Sequence, residues 1–321
     1  MNVKIDSGGR MRTMLISRLF VGGWLLVAIS GLAADLNCVE RVLDHPSPGA
    51  TATYRAEFGE APVQTACLRV LMIGTIERGD STKLADAIKK SQGLLEWLYL
   101  VSPGGDLREA MEIGRLIRKA YLQTMAPDRR LTGFITLPES KQAPCNWVDC
   151  ICASACFIAW SSGVKRAGSI LGIHRPRFDP RYFSGLDLPQ AEREYHLLLD
   201  SMKTYLAEVD LPPNYYDRMM DTRSSEVVFL TEQEAEKLRS SDFVPSIDEW
   251  LTAKCGSYSW EENLLTLNYS QIARGFSGVV GVRKISKEEN VQLEKKIAQI
   301  DKCRAIAIIR ARRLAASELL E

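Results

Sequence analysis

Net charge is almost absent from this sequence: 41 Lys and Arg face 40 Asp and Glu, leaving +1. A chain so balanced has no global field to draw in nucleic acid or an anionic membrane, so no nucleic-acid partner is expected and any partner must be argued from local residues. Histidine is scarce, and His45, His174 and His196 are the only three imidazoles available for acid–base or metal chemistry. Long apolar runs are missing too. The run Leu19 to Leu32 has fourteen apolar or small residues, short of the roughly 20 that cross a bilayer as a helix. No internal repeat is present, which removes solenoids and propellers. No zinc template is present either, because Cys150, Cys152 and Cys156 in C-x-C-x3-C spacing with His174 match no common ligand pattern, so no metal is expected. What remains is ordinary globular material, 46% hydrophobic and 25% charged, which excludes fibrous and disordered classes.

The N-terminus carries an address. Arg10, Arg12 and Arg18 precede the apolar run, and the small residues Ala33 and Ala34 follow it. Residues 1–34 therefore read as a secretory signal peptide cleaved near Ala33 or Ala34, placing the protein in the periplasm or otherwise outside the cytoplasm. The alternative is an uncleaved anchor in the inner membrane through residues 19–32, which would be the protein's sole membrane contact. In an exported chain the eight cysteines Cys38, Cys67, Cys145, Cys150, Cys152, Cys156, Cys255 and Cys303 are expected as disulfides rather than reactive thiols. Cys145 and Cys150 are expected to bridge each other, or Cys152 or Cys156. Cys255 and Cys303 are expected to tie a C-terminal helix back.

Residues 35–64 read as an N-terminal extension with a turn at His45-Pro46-Ser47-Pro48-Gly49. From Leu68 the pattern alternates between strand and helix: apolar runs Leu68–Ile76 and Trp97–Val101, a helical stretch Thr82–Ser91 between them, and helical spacing from Leu107 through Tyr121. That predicts an α/β domain over residues 65–245 with a parallel sheet. Prolines 127, 138 and 144 punctuate an insert around a short strand at 131–137. Ala153–Trp160 reads as a buried helix, and Ser169–His174 as a strand stopped by Pro176. A long helix follows to Pro212-Pro213, and Thr231 with Glu234 forms a capping box. Residues 246–321 form a helical extension in which Leu293, Ile297, Ile300, Ala307 and Leu314 give the apolar edge, as a docking surface, a homo-oligomer contact or a cover for the core.

Attack on a carbonyl needs a nucleophile, a base and donors for the developing oxyanion. Gly104 and Gly105 follow a strand, where open α/β sheets place ligands. Ser154 lies at the start of an apolar helix, near its positive end. His174 ends the next strand. Each has a bland reading: a glycine turn, a small residue in a packed helix, a structural strand-end imidazole. Lys165 invites a serine–lysine dyad but follows Gly163 in a turn, where solvated lysine is the default. Arg166, Arg175 and Arg177 read as a basic rim or as plain surface charge. His45 and His196 read as ordinary surface residues.

The order of Ser102-Pro103-Gly104-Gly105-Asp106, Ile113-Gly114-Arg115-Leu116-Ile117, Cys152-Ala153-Ser154-Ala155-Cys156, Gly163-Val164-Lys165-Arg166, Gly172-Ile173-His174-Arg175-Pro176 and Phe229-Leu230-Thr231 resembles that of Clp-type serine peptidases. More closely, the chain is similar to a group of bacterial periplasmic proteins on a Clp/crotonase-like core. The resemblance covers residues 65–245. It implies Ser154 as nucleophile, His174 as general base, the N–H groups of Gly105 and Ala155 as oxyanion hole, and Gly104 beside the substrate. The family's aspartate position holds Val227 here, leaving Glu226 or Asp221 as displaced third members, or a dyad. The expectation is an exported serine hydrolase of peptidase type acting on a peptide or small acyl substrate without a cofactor. The alternatives are a non-catalytic binding or scaffold protein on the same fold, and a crotonase-type enzyme of thioesters.

Overall fold

The computed structural model describes residues 34–41, 67–129, 150–176, 183–239, 243–257, 259 and 287–319. The apolar run 19–32, His45, the strand expected at 131–137, Cys145 and Arg177 lie outside the described residues.

The fold is mixed α/β. One sheet has five strands in the order β1 (Asp35–Arg41), β2 (Cys67–Ile73), β3 (Trp97–Val101), β4 (Gln123–Met125) and β6 (Arg166–Ala167). The first pair is antiparallel and the rest are parallel. Parallel neighbours need crossovers, and α1 (Asp80–Ser91) and α2 (Leu107–Lys119) supply them between β2, β3 and β4. A second sheet holds β5 (Cys152–Ala153), β7 (Leu171–Ile173) and β8 (Val228–Phe229), with β5 and β7 parallel and β8 antiparallel on the edge. After β4 the chain thus alternates between sheets, visiting the second at β5, the first at β6 and the second again at β7. A parallel bridge between Ser102 and Cys152 joins the sheets where β3 ends.

The helices start where local chemistry satisfies their first N–H groups. Asp106 caps α2 by accepting from Glu109 N–H at 2.9 Å. Capping boxes open α4 (Leu188–Glu208), through Asp187 and Gln190, and α6 (Glu232–Leu238), through Thr231 and Glu234. Between them lies α5 (Asn214–Asp221). The short α3 (Ala155–Trp160) is buried on every side, with Phe157 and Trp160 at 0% exposure, because it lies between the sheets and α2. The helix expected from Ala153 begins two residues later, since Ala153 pairs with Gly172 in the sheet.

The C-terminal α8 (Lys287–Glu318) covers the core and docks on α7 (Pro245–Cys255): Ala315 and Ala316 join the main core, while Ala307 and Ile308 pack with Leu251 of α7. Its apolar edge differs from the one read in the sequence. Ile300 and Ala307 are buried, but Leu314 is 61% exposed and Arg312 takes the inward place, donating to the Tyr121 carbonyl at 3.1 Å. Burial lowers the Arg312 guanidinium pKa from its ordinary value.

Disulfides join Cys38 to Cys67, Cys152 to Cys156, and Cys255 to Cys303, and Cys150 is bridged as well. The Cys255–Cys303 bridge ties α8 to α7 as expected. Cys152 and Cys156 pair with each other rather than with the insert. Such bridges persist in oxidising compartments, which accords with export. Among the described residues no helix is long and apolar enough to cross a membrane.

Candidate active site

Strand register builds the site. Cys152 of β5 lies beside Leu171 of β7, and Ala153 beside Gly172. On the other side Ser102, just past β3, lies beside Cys152. All three segments run parallel, so they leave the sheet at one edge. Two residues on, the chain ends are Gly104, Ser154 and Ile173, with His174 next. Ser154 N–H donates to Gly172 O at 2.9 Å, which holds this alignment past the last strand residue.

The glycine pair is required by that convergence. A Cβ on Gly104, at φ +115, would lie 2.6 Å from the Ser154 Cβ. A Cβ on Gly105, at φ +145, would lie 2.0 Å from the Ile76 carbonyl oxygen. The turn is pinned to Ile76, three residues past β2, by Ile76 N–H to Gly104 O at 2.8 Å and Asp106 N–H to Ile76 O at 2.9 Å. These bonds leave the N–H of Gly105 without a hydrogen bond among the described residues, and the same holds for Ala155 at the first turn of α3.

Ser154 itself joins β5 to α3 with φ 58 and ψ −123. Gln92, another non-glycine with positive φ, has φ 48 and ψ 38, the ordinary left-handed well at a helix end. Ser154 lies outside that well, in backbone space that residues with a side chain seldom occupy. A sharp strand-to-helix turn of this kind lifts a side chain clear of its neighbours, the device of the nucleophile elbow.

Ser154, Ala155, Gly105 and His174 line one small, partly open cleft with a cavity volume of about 20 Å³. Its walls are otherwise apolar, with Leu107, Ile158, Ile173, Met202 and Met219 from five different elements. The His174 ring bonds through Nδ1 to the Arg175 carbonyl at 2.6 Å. A carbonyl only accepts, so Nδ1 carries a proton, and in the neutral imidazole the free lone pair is then on Nε2. No hydrogen bond links Ser154 Oγ to His174 among the described residues.

Neither a family model nor a curated protein matches this chain.

The remaining candidates fall elsewhere. Glu226 is exposed and pairs with Arg223 at 3.7 Å, and Asp221 is exposed at the end of α5. Neither carboxylate is hydrogen-bonded to His174 among the described residues. Arg166 is not part of a rim: it is 5% exposed and donates to the Val209 carbonyl, and burial, helped by the nearby Arg118, lowers its pKa to about 10. The Lys165 ammonium sits 4.4 Å from the centre of the Phe243 ring rather than in the cleft. His196 is exposed on α4. Among the described residues no cluster of three His, Cys, Asp or Glu side chains is placed to hold a metal ion.

Three contributions were not read from the sequence. The Arg175 carbonyl as imidazole partner leaves no sequence signal, since every residue has a carbonyl. The apolar cleft walls come from α2, α3, β7, α4 and α5, whose inward residues look like any core. The bridge across Ser154 did have a signal, the C-x3-C spacing centred on the serine.

Proposed function

We propose that this chain is an exported serine hydrolase of peptidase type on a Clp/crotonase-like core. The observation that carries this reading is Ser154 at φ 58 and ψ −123, facing a cleft that His174 also lines. Strained backbone clusters at sites where presentation of one group matters more than local stability. Ser154 Oγ attacks a carbonyl while His174 Nε2 takes its proton, and the N–H groups of Gly105 and Ala155 receive the developing oxyanion. His174 returns the proton to the leaving group, and water then releases the acyl group from Ser154. The Arg175 carbonyl fixes the tautomer, the part a carboxylate plays in a triad.

A second reading, a binding protein that keeps the fold without turnover, draws on the lack of a carboxylate at His174 among the described residues. Both readings meet in one experiment. The oxidised protein is treated with a fluorophosphonate, and adducts are mapped by peptide mass spectrometry. Labelling of wild type at Ser154 and none in Ser154→Ala supports the hydrolase. Folded wild type that never labels supports the binding protein.

A further inference from the structure

The Ser154 turn needs a support that its own elements are too short to give. β5 has two residues and α3 has six. Each is marginal as local structure, yet together they hold a serine in a conformation that relaxes readily once free. Two backbone bonds brace the turn: Ser154 N–H to Gly172 O at 2.9 Å, and Ile158 N–H to Ser154 O at 3.3 Å. Across the turn runs one covalent tie, the Cys152–Cys156 bridge, anchored two residues before Ser154 and two after it, with Cα atoms 5.1 Å apart. Both cysteines are wholly buried, so the tie is part of the packed floor of the cleft.

Its placement separates it from the two long-range bridges. Cys38–Cys67 and Cys255–Cys303 close 29 and 48 residues of chain, whereas Cys152–Cys156 closes four. The stabilisation a bridge gives by restricting the unfolded chain grows with loop length. The shortest of these loops is therefore the poorest fold stabiliser and the strongest local restraint, fixing where the strand stops and the helix starts.

We propose that the Cys152–Cys156 bridge is the positioning clamp of the Ser154 turn, and that Ser154 presents its hydroxyl to the cleft only once this bridge has formed. The word nucleophile rests on the hydrolase reading above; the conformational claim does not. Bridge formation is a thiol–disulfide exchange with a disulfide donor: its S–S bond breaks, the Cys152–Cys156 bond forms, and the donor leaves as a dithiol with the two hydrogens. A chain still in a reducing compartment carries an unclamped serine, and hydrolytic competence begins with oxidation.

The test uses the full oxidised chain as wild type, as Cys152→Ala/Cys156→Ala, and as a control Cys255→Ala/Cys303→Ala. Three quantities are read: the rate of fluorophosphonate labelling at Ser154, the thermal unfolding curve, and the Ser154 backbone angle in crystals. The clamp variant is expected to unfold cooperatively, to lose about a hundredfold in labelling rate, and to show Ser154 relaxed out of positive φ. The control should lose more thermal stability while labelling at the wild-type rate. Should the alanine pair fail to fold, Cys152→Ser/Cys156→Ser, isosteric with the reduced thiols, takes its place. A folded clamp variant that keeps Ser154 near φ 58 and labels like wild type overturns the proposal. If wild type does not label but Ser154 still relaxes in the clamp variant, the clamp stands and the hydrolase reading falls.

Discussion

Replacing Ser154 by alanine removes the hydroxyl and keeps the backbone strain, whereas replacing it by glycine removes both. The difference between the two variants therefore reports the strain, less the entropy that glycine adds to the unfolded chain. With φ 58 and ψ −123, a residue bearing a Cβ costs on the order of 1–3 kcal/mol here, and glycine does not. Glycine's larger freedom in the unfolded chain offsets about 0.5–1 kcal/mol of that gain. Ser154→Gly should then be more stable than Ser154→Ala by about 1 kcal/mol, or roughly 2–4 °C in Tm for a chain of this size class. Ser161 provides the internal control: it ends the same helix at φ −61 and ψ −14, where a side chain is at ease. There the order must reverse, with Ser161→Gly less stable than Ser161→Ala by about 0.5–1 kcal/mol. Urea unfolding of the four proteins gives both differences. Finding glycine less stable than alanine at both positions would refute the claim that Ser154 is held under strain.

His174→Ala should slow fluorophosphonate labelling by about 10²–10⁴, and an unchanged rate would remove the imidazole from the reaction. Gly104→Ala places a Cβ 2.6 Å from the Ser154 Cβ at φ +115, so labelling should fall with a loss of about 1–3 kcal/mol in stability; a soluble variant that labels normally would contradict the register described here. Glu234 tests pH dependence. Burial raises its carboxyl pKa, but hydrogen bonds from Thr231 and the pairing with Arg218 more than reverse this, and the net shift is downward from 4.5. A carboxyl lowered on folding stabilises above its unfolded pKa and loses that contribution as pH falls through the folded value. Because the pair is about a third exposed, Glu234→Gln should cost only about 0.5–1 kcal/mol near neutral pH, and the gap should close under acid conditions; a cost independent of pH would show that charge plays no part. Cys255→Ala/Cys303→Ala opens a 48-residue loop and should cost about 3–4 kcal/mol by chain entropy, measured as a drop in unfolding free energy, with a negligible loss counting against the tie.

The types of the main elements were legible in the sequence because they follow from periodicity and end signals acting over a few residues. The alternating runs at Leu68 and Trp97, the capping box at Thr231 and Glu234, and the proline stop after Val209 each act locally. Leu314 and Arg166 escaped that reading: a helix periodicity gives a face but not which neighbour covers it, and α8 turns Arg312 rather than Leu314 inward. Disulfide pairing was legible for Cys255 and Cys303, while the bond across Ser154 depended on a two-residue strand turning directly into a helix. By itself the sequence determined a charge-balanced, cysteine-rich α/β chain with a serine, a histidine and a glycine pair in a suggestive order. Only the tertiary structure decided that Gly105, Ser154, Ala155 and His174 border one cleft, and that a backbone carbonyl rather than Glu226 or Asp221 holds the imidazole. The reason is register: β3, β5 and β7 are far apart in sequence, and no local preference states which strands lie side by side or by how many residues they are offset.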